Sequence, residues 1–193
     1  MSAILWFSEI EGGEIGVVGG KGLSLARLHQ ANISVPPGFV ITTEAYKNGM
    51  DPALSDSILE AFNKLGAARV AVRSSAIAED SADASWAGQF ESYLNVTKDE
   101  LIESVKKCWN SALSETVNGY AESQSIGKDK LAIAVVVQKM VDSEASGVAF
   151  SANPITKDRS QIMIEATFGL GELLVQGMVT PDNYLIDKTS SEI

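Results

Sequence analysis

The chain has 193 residues, of which 45% are hydrophobic, enough for one domain or for two small lobes around a cleft. Its formal net charge of −10 argues against a nucleic-acid surface, because binding to a phosphate backbone depends on clustered cations. No apolar stretch reaches membrane-spanning length and the first residues do not resemble a signal peptide, so we expect a soluble, cytoplasmic protein without a membrane partner.

The first element with a chemical signature is the run Gly19-Gly20-Lys21-Gly22, which leads into a helical pattern over residues 21–29. A lysine at a glycine-flanked helix start combines a mobile cation with amide donors, which is a combination that binds phosphate. An exposed lysine at a helix start is the alternative interpretation of Lys21. The only histidine, His29, lies near the end of this helix, where the helix dipole favours a cation.

Arg73 is the second candidate cation. An apolar strand over residues 70–72 delivers it at the strand end, and a loop of small and acidic residues closes on Gly88 and Gln89. A guanidinium beside a glycine-containing loop suits a polyphosphate, because arginine binds oxygens in pairs and glycine lets backbone N–H groups approach them. A strand-end ion pair with Glu79 or Asp80 is the structural alternative. Those two carboxylates are either a solvated pair or magnesium ligands.

The remaining elements alternate between strands and helices. Before Arg73 we predict a strand at 39–42 and helices at 43–47 and 56–65, separated by the helix-breaking run 48–52. After it we predict strands at 90–95, 133–139, 148–151, 162–166 and 184–186, and helices at 98–109, 115–123 and 170–176. This order predicts a mixed α/β (α+β) fold in which helices cover a mixed sheet. The single cysteine, Cys108, falls on the apolar face of the helix at 98–109 and is expected in the core.

Six motifs occur in an order that resembles one family. They lie at residues 19–22, 35–39, 73–89, 134–141, 146–154 and 164–172. From about residue 16 to residue 187, the chain resembles the N-terminal ATP-binding domain of phosphoenolpyruvate synthases, also called pyruvate, water dikinases. The chain also resembles the corresponding domains of pyruvate phosphate dikinase and rifampicin phosphotransferase, which are close relatives of these synthases.

The resemblance implies an ATP-grasp-like nucleotide-binding lobe that uses ATP and Mg²⁺ and passes a phosphoryl group to a histidine on a mobile domain. It implies that Lys21 and Arg73 act as catalytic cations on the phosphates, and that a loop containing Gly88, Gln89 and Ser92 covers them. Glu165 and Glu172 are weaker candidates, and no metal ligand is assigned. The cofactor-binding residues implied are Lys21, Arg73, Gly88, Gln89, Ser92, Gln138, Met140, Val141 and Glu165, with Gln138, Met140 and Val141 forming the adenine edge.

The chain also departs from the family pattern. The segment at residues 47–68 is shorter than the resemblance leads us to expect, and His29 does not match a phosphocarrier motif. We expect residues 1–193 to be an ATP-binding domain that lacks the second ATP-binding lobe, the phosphohistidine domain and the acceptor domain, which other domains or subunits would supply. Pyruvate is the expected final acceptor. The alternatives are a rifampicin-type acceptor, or a non-catalytic nucleotide-binding sensor module.

Overall fold

A computed structural model of the chain describes residues 2–76, 91–111 and 132–190. The chain divides into two compact units, Met1–Met140 and Val141–Ile193. Each unit has its own antiparallel sheet, of five strands in the first unit and three in the second. No helix in the described ranges is long and apolar enough to cross a membrane.

The sheet of the first unit has the strand order β1-β2-β5-β3-β4. Its strands are β1 (Ile4–Trp6), β2 (Gly38–Ile41), β3 (Val70–Ala76), β4 (Ser92–Val96) and β5 (Ile133–Lys139). β5 lies at the centre, between β2 and β3. Its side chains alternate between two hydrophobic clusters, one on each face of the sheet. A strand buried on both faces is apolar throughout, which explains the unbroken run of valines in β5.

Helices cover both faces of this sheet. The helices are α1 (Ile15–Gln30), α2 (Thr43–Asn48), α3 (Pro52–Leu65) and α4 (Lys98–Ser111). α1 packs on one face, where Val18, Leu23 and Ala26 join Val40 and Val136. The other three helices pack on the opposite face. That second cluster includes Phe39, Ile41, Ala45, Ile58, Val72, Val105, Cys108 and Trp109.

Local bonds close both helix ends at the short turn between α2 and α3. The backbone N–H of Gly49 donates to the carbonyl of Ala45, and Gly49 has the positive φ of 80° that glycine tolerates. Asp51 then caps α3, since its Oδ1 accepts from the backbone N–H of Leu54 at 2.7 Å. Pro52 occupies the first turn of α3, where a missing N–H has no cost. The predicted helix break at residues 48–52 is confirmed.

The second unit is a three-stranded sheet with one short helix. Its strands β6 (Ala145–Phe150), β7 (Gln161–Phe168) and β8 (Asp182–Asp187) pair in that order, and α5 (Glu172–Val175) lies between β7 and β8 in sequence. The connection from β6 to β7 is held by Asn153. The Oδ1 of this buried side chain accepts from two backbone N–H groups, and its Nδ2 donates to Gln161.

The structure confirms the predicted fold class, a mixed α/β chain with helices covering the sheet; the described strand pairs are all antiparallel, where a mixed sheet was expected. The bounds of β5 match the prediction at 133–139 and α4 starts where predicted, while β1 was not predicted. Two predicted bounds were wrong: α1 begins at Ile15 and not at Lys21, and β3 continues to Ala76, so Arg73 lies within the strand and not at its end. The predicted helix at 115–123 lies outside the described residues.

Candidate functional site

The first feature of the site is a break in α1 at Gly19. Its backbone has φ 69° and ψ 175°, a conformation that is essentially restricted to glycine. A Cβ atom at this position would lie 2.1 Å from the backbone oxygen of Ser75 and 2.4 Å from its Oγ. Two independent constraints therefore require glycine at position 19: the backbone conformation and the direct contact between α1 and β3.

Ser75 joins the two segments of α1 across this break. Its Oγ donates to the carbonyl of Val18 at 2.9 Å, on the N-terminal side of Gly19. The same Oγ accepts from the backbone N–H of Gly22 at 3.1 Å, on the C-terminal side. The Ser75 side chain is fully buried, with 0% of its surface exposed. Since a helix start leaves several N–H groups without a partner inside the helix, Ser75 supplies one acceptor from a distant strand.

The hydrogen bond from Gly22 to Ser75 places the helix segment that carries Lys21 against the strand that carries Arg73. Lys21, half-buried, precedes Gly22 in the first turn after the break. Arg73, also half-buried, lies two residues before Ser75 on β3, so both side chains are on the same face of the sheet. Arg73 is paired with Val136, a member of the cluster beneath α1, which shows that this face is the one α1 covers.

Ser92 is brought to the same place by β4. It stands directly opposite Arg73 in the register between β3 and β4, and it is exposed. Residues directly opposite each other in an antiparallel pair have Cβ atoms about 4.5–5.5 Å apart. The structure therefore assembles three predicted residues, Lys21, Arg73 and Ser92, from α1, β3 and β4. Gly88 and Gln89 lie outside the described residues, as do Glu79 and Asp80.

The predicted adenine edge at the end of β5 is largely occupied by bonds within the fold. The side chain of Gln138 is buried and donates through Nε2 to the carbonyl of Pro36 at 3.0 Å. The backbone N–H of Met140 donates to the carbonyl of Arg69 at 3.1 Å. Gln138 thus holds the segment before β2, and the half-buried side chain of Met140 keeps part of its surface for contact.

Val141 and Glu165 belong to the second unit. Val141 is exposed, with 51% of its surface accessible. Glu165 is a half-buried residue of β7, paired with Val148 on one side and Asn183 on the other. Glu172 starts α5 and is exposed. Among the residues that the structure describes, no three His, Cys, Asp or Glu side chains come together as a metal site.

Cys108 lies beneath β3 and is fully buried. Burial raises the pKa of its thiol to about 12, and the nearby Glu91 carboxylate adds to this increase. The backbone N–H of Ser74 and the charge of Lys21 act in the opposite direction but do not cancel it. The expectation of an inert core cysteine agrees with this environment.

Sequence reasoning missed the role of Ser75. The residue was visible only as part of the strand motif that carries Arg73, and its partners Val18 and Gly22 are more than 50 residues away in the chain. The glycine pair at residues 19–20 was the available signal. A glycine that must admit a close neighbour marks a contact, although the sequence does not name the neighbour.

A lysine at a glycine-flanked helix start and an arginine on the adjacent strand are groups that suit a phosphate ligand. The chain belongs to the family described as pyruvate phosphate dikinase, AMP/ATP-binding domain, which it matches over residues 15–53 and 47–193. The family resemblance drawn from the motifs is confirmed.

Several curated relatives carry names from the same family. A phosphoenolpyruvate synthase of Aeropyrum pernix is 38% identical over 98% of this chain and 29% of its own length. A probable phosphoenolpyruvate synthase of Methanocaldococcus jannaschii is 35% identical over 100% of this chain and 20% of its own length. An uncharacterized phosphotransferase of Bacillus subtilis, YvkC, is 38% identical over 92% of this chain and 24% of its own length. The chain thus spans a minor part of the length of these relatives.

The comparison also shows that this chain is shorter than the matching part of its relatives. The alignment with the Aeropyrum pernix protein is 238 residues long and the chain has 193, so at least 45 residues of that relative have no counterpart here. The two segments that match the family overlap at residues 47–53, which contain the turn between α2 and α3.

Proposed function

We propose that this chain is the ATP-binding part of a phosphoenolpyruvate synthase-like phosphotransferase, in which Lys21 and Arg73 bind the ATP phosphates. The observation that carries the proposal is the contact between Gly19 and Ser75. It holds the helix start that bears Lys21 against the strand that bears Arg73. Two cations on separate elements are then positioned for one polyphosphate, and Ser92 adds a hydroxyl opposite Arg73.

The chemistry required of these residues is electrostatic. Phosphoryl transfer spreads negative charge over the oxygens of the transferred group, and fixed cations stabilise that charge without reorganising. Arg73 would bind two oxygens at once and Lys21 would act as a point charge. Mg²⁺ would neutralise part of the phosphate charge, since it binds phosphate oxygens, keeps several waters and needs only one or two protein carboxylates. Gly88 and Gln89 would cover the phosphates with backbone N–H groups.

The phosphoryl group would pass to a histidine on another domain or subunit and from there to pyruvate. His29 is the only histidine of this chain. It is exposed at the end of α1, eight residues after Lys21, which corresponds to about 12 Å along a helix. This separation makes His29 a poor acceptor for a phosphate bound at Lys21. A rifampicin-type acceptor, or binding without transfer, are the other outcomes of the same binding chemistry.

Nucleotide binding is tested by titrating the ¹⁵N-labelled chain with ATP and Mg²⁺ and following NMR shifts. We expect a dissociation constant on the order of 0.1 mM or weaker, because few contacts offset the cost of immobilising the ligand. Arg73→Ala should weaken binding most. Arg73→Lys should still lose much of the affinity, since an ammonium does not reproduce a bidentate guanidinium.

Arg69→Ala is the matched control for charge, because Arg69 is exposed and, within the described residues, its backbone oxygen but not its side chain is hydrogen-bonded. This variant should bind ATP like the wild type. If wild type, Arg73→Lys and Arg73→Ala bind equally well, Arg73 is a structural residue and an ion pair with Glu79 or Asp80 becomes the preferred interpretation.

A further inference from the structure

We propose that Ser75 is a positioning residue for nucleotide binding, acting through Lys21. The inference rests on the proposed function and adds a residue to it. The Ser75 hydroxyl is the one polar group on β3 that bonds to α1 on both sides of Gly19 in the described structure. The Ser75 side chain has no solvent-accessible surface, so it would act through the geometry of α1 and not by contact with the nucleotide.

The direction of the first helical turn after Gly19 depends on this hydroxyl. A helix start is usually fixed by a side-chain oxygen of its own capping residue. Gly19 has no side chain and therefore no such oxygen, and the Ser75 Oγ takes that role by accepting from the N–H of Gly22. Lys21 is the residue immediately before that N–H. Because Gly22 is held against β3, the backbone position of Lys21 relative to Arg73 is fixed as well.

The Ser75 hydroxyl also avoids the free-energy cost of leaving two buried backbone groups without a side-chain partner. Without it, the N–H of Gly22 and the carbonyl of Val18 would lose their side-chain partner in a buried region. Buried groups without partners favour any movement that returns them to water or to each other. The first turn would then shift or open, and the lysine would lose its alignment with the arginine although both charges are still present.

The test is a double-mutant cycle on ATP affinity, using Ser75→Ala, Lys21→Ala and the double variant in the NMR titration. Ser75→Ala removes two hydrogen bonds and should weaken ATP binding roughly fivefold, which corresponds to about 1 kcal/mol of binding free energy. In the Lys21→Ala background the same serine change should have little effect, because the residue through which it acts is gone.

A purely structural role would give a different pattern. Ile58→Val serves as the stability control, because Ile58 is fully buried in the cluster on the opposite face of the sheet. This variant should lower the unfolding midpoint while leaving ATP affinity unchanged. If Ser75→Ala does not fold, Ser75→Cys replaces it, since the thiol fills the same space but bonds only weakly.

The possible failures are distinguishable. If Lys21→Ala weakens ATP binding but Ser75→Ala weakens it equally with and without Lys21, the positioning role is wrong and the proposed function stands. The same conclusion follows if Ser75→Ala binds ATP like the wild type. If Lys21→Ala leaves the affinity unchanged, both the phosphate role of Lys21 and the inference that depends on it are wrong.

Discussion

Replacement of Gly19 by alanine should destabilise the first unit more than any comparable glycine change. The backbone at Gly19 lies in a region that costs a residue with a side chain about 1–3 kcal/mol. The added Cβ would also stand 2.1 Å from a backbone oxygen of β3, so strand or helix must move. Overpacking of this kind costs about 1–3 kcal/mol, which brings the total to about 2–6 kcal/mol. This is a large part of the stability of a typical domain.

Two other glycines separate the contributions. Gly66 has φ 63° with nothing near its missing Cβ, so Gly66→Ala should show the backbone strain alone, about 1–2 kcal/mol. Gly16 is an exposed residue of α1 with neither strain nor a close neighbour. Gly16→Ala should stabilise the protein by about 0.5–1 kcal/mol, because alanine loses less conformational freedom on folding.

The assay is urea unfolding followed by tryptophan fluorescence. All three tryptophans lie within Met1–Met140, so the signal reports on the first unit. The expected order of unfolding free energies is Gly16→Ala above wild type, then Gly66→Ala, then Gly19→Ala. If Gly19→Ala loses no more stability than Gly66→Ala, α1 is not pressed against Ser75 and the geometry on which the site proposal depends is wrong.

Three further predictions follow from the structure. The Cys108 thiol, whose pKa is raised to about 12 from 9.0, should resist aromatic disulfide reagents at pH 8 until the chain is unfolded. The unfolding free energy should also fall as pH rises from 9 towards 12, because the unfolded thiol ionises first. Reaction of the native thiol at the rate of a free peptide would contradict this prediction. Asp51→Ala should lower the unfolding free energy by about 1 kcal/mol through loss of the α3 cap, whereas Asp56→Ala on an exposed position should change little, and equal effects would exclude the capping role. The isolated chain should neither make phosphoenolpyruvate from pyruvate and ATP nor retain label from ATP labelled at the β-phosphate, since phosphoryl transfer needs a positioned nucleophile; acid-labile label that disappears in His29→Ala would make His29 the carrier.

The parts of the fold that the sequence predicts well are those with a strong local or periodic signal. β5 could be bounded without error because its first five residues, buried on both faces of the sheet, form an unbroken apolar run. The α2–α3 break was predictable because glycine, aspartate and proline act on neighbouring residues. β1 was missed, since three residues are too few to show alternation.

The parts that could not be predicted depend on contacts between distant residues. The helical pattern was predicted to begin at Lys21, whereas α1 begins at Ile15, because the glycine pair hides a first helical segment before the break. The strand carrying Arg73 was expected to end there, since Ser74 and Ser75 are polar. Both serines are buried, and each is bonded to a partner that only the folded chain supplies. The polarity of the two serines therefore predicted a strand end, whereas in the structure they belong to the strand and bond to other segments of the fold.

The turn between α2 and α3 should tolerate changes in its length. Because Gly49 and Asp51 each close a helix through bonds within its own last or first turn, neither helix depends on how many residues join them. Loop-closure entropy changes only slowly with length, so additions here carry a small thermodynamic penalty. Insertions or deletions at this junction should therefore leave the sheet unchanged. A flexible reporter peptide placed between Gly49 and Met50 should accordingly leave the tryptophan-detected unfolding midpoint nearly unaltered, which makes the junction a practical attachment point on this scaffold.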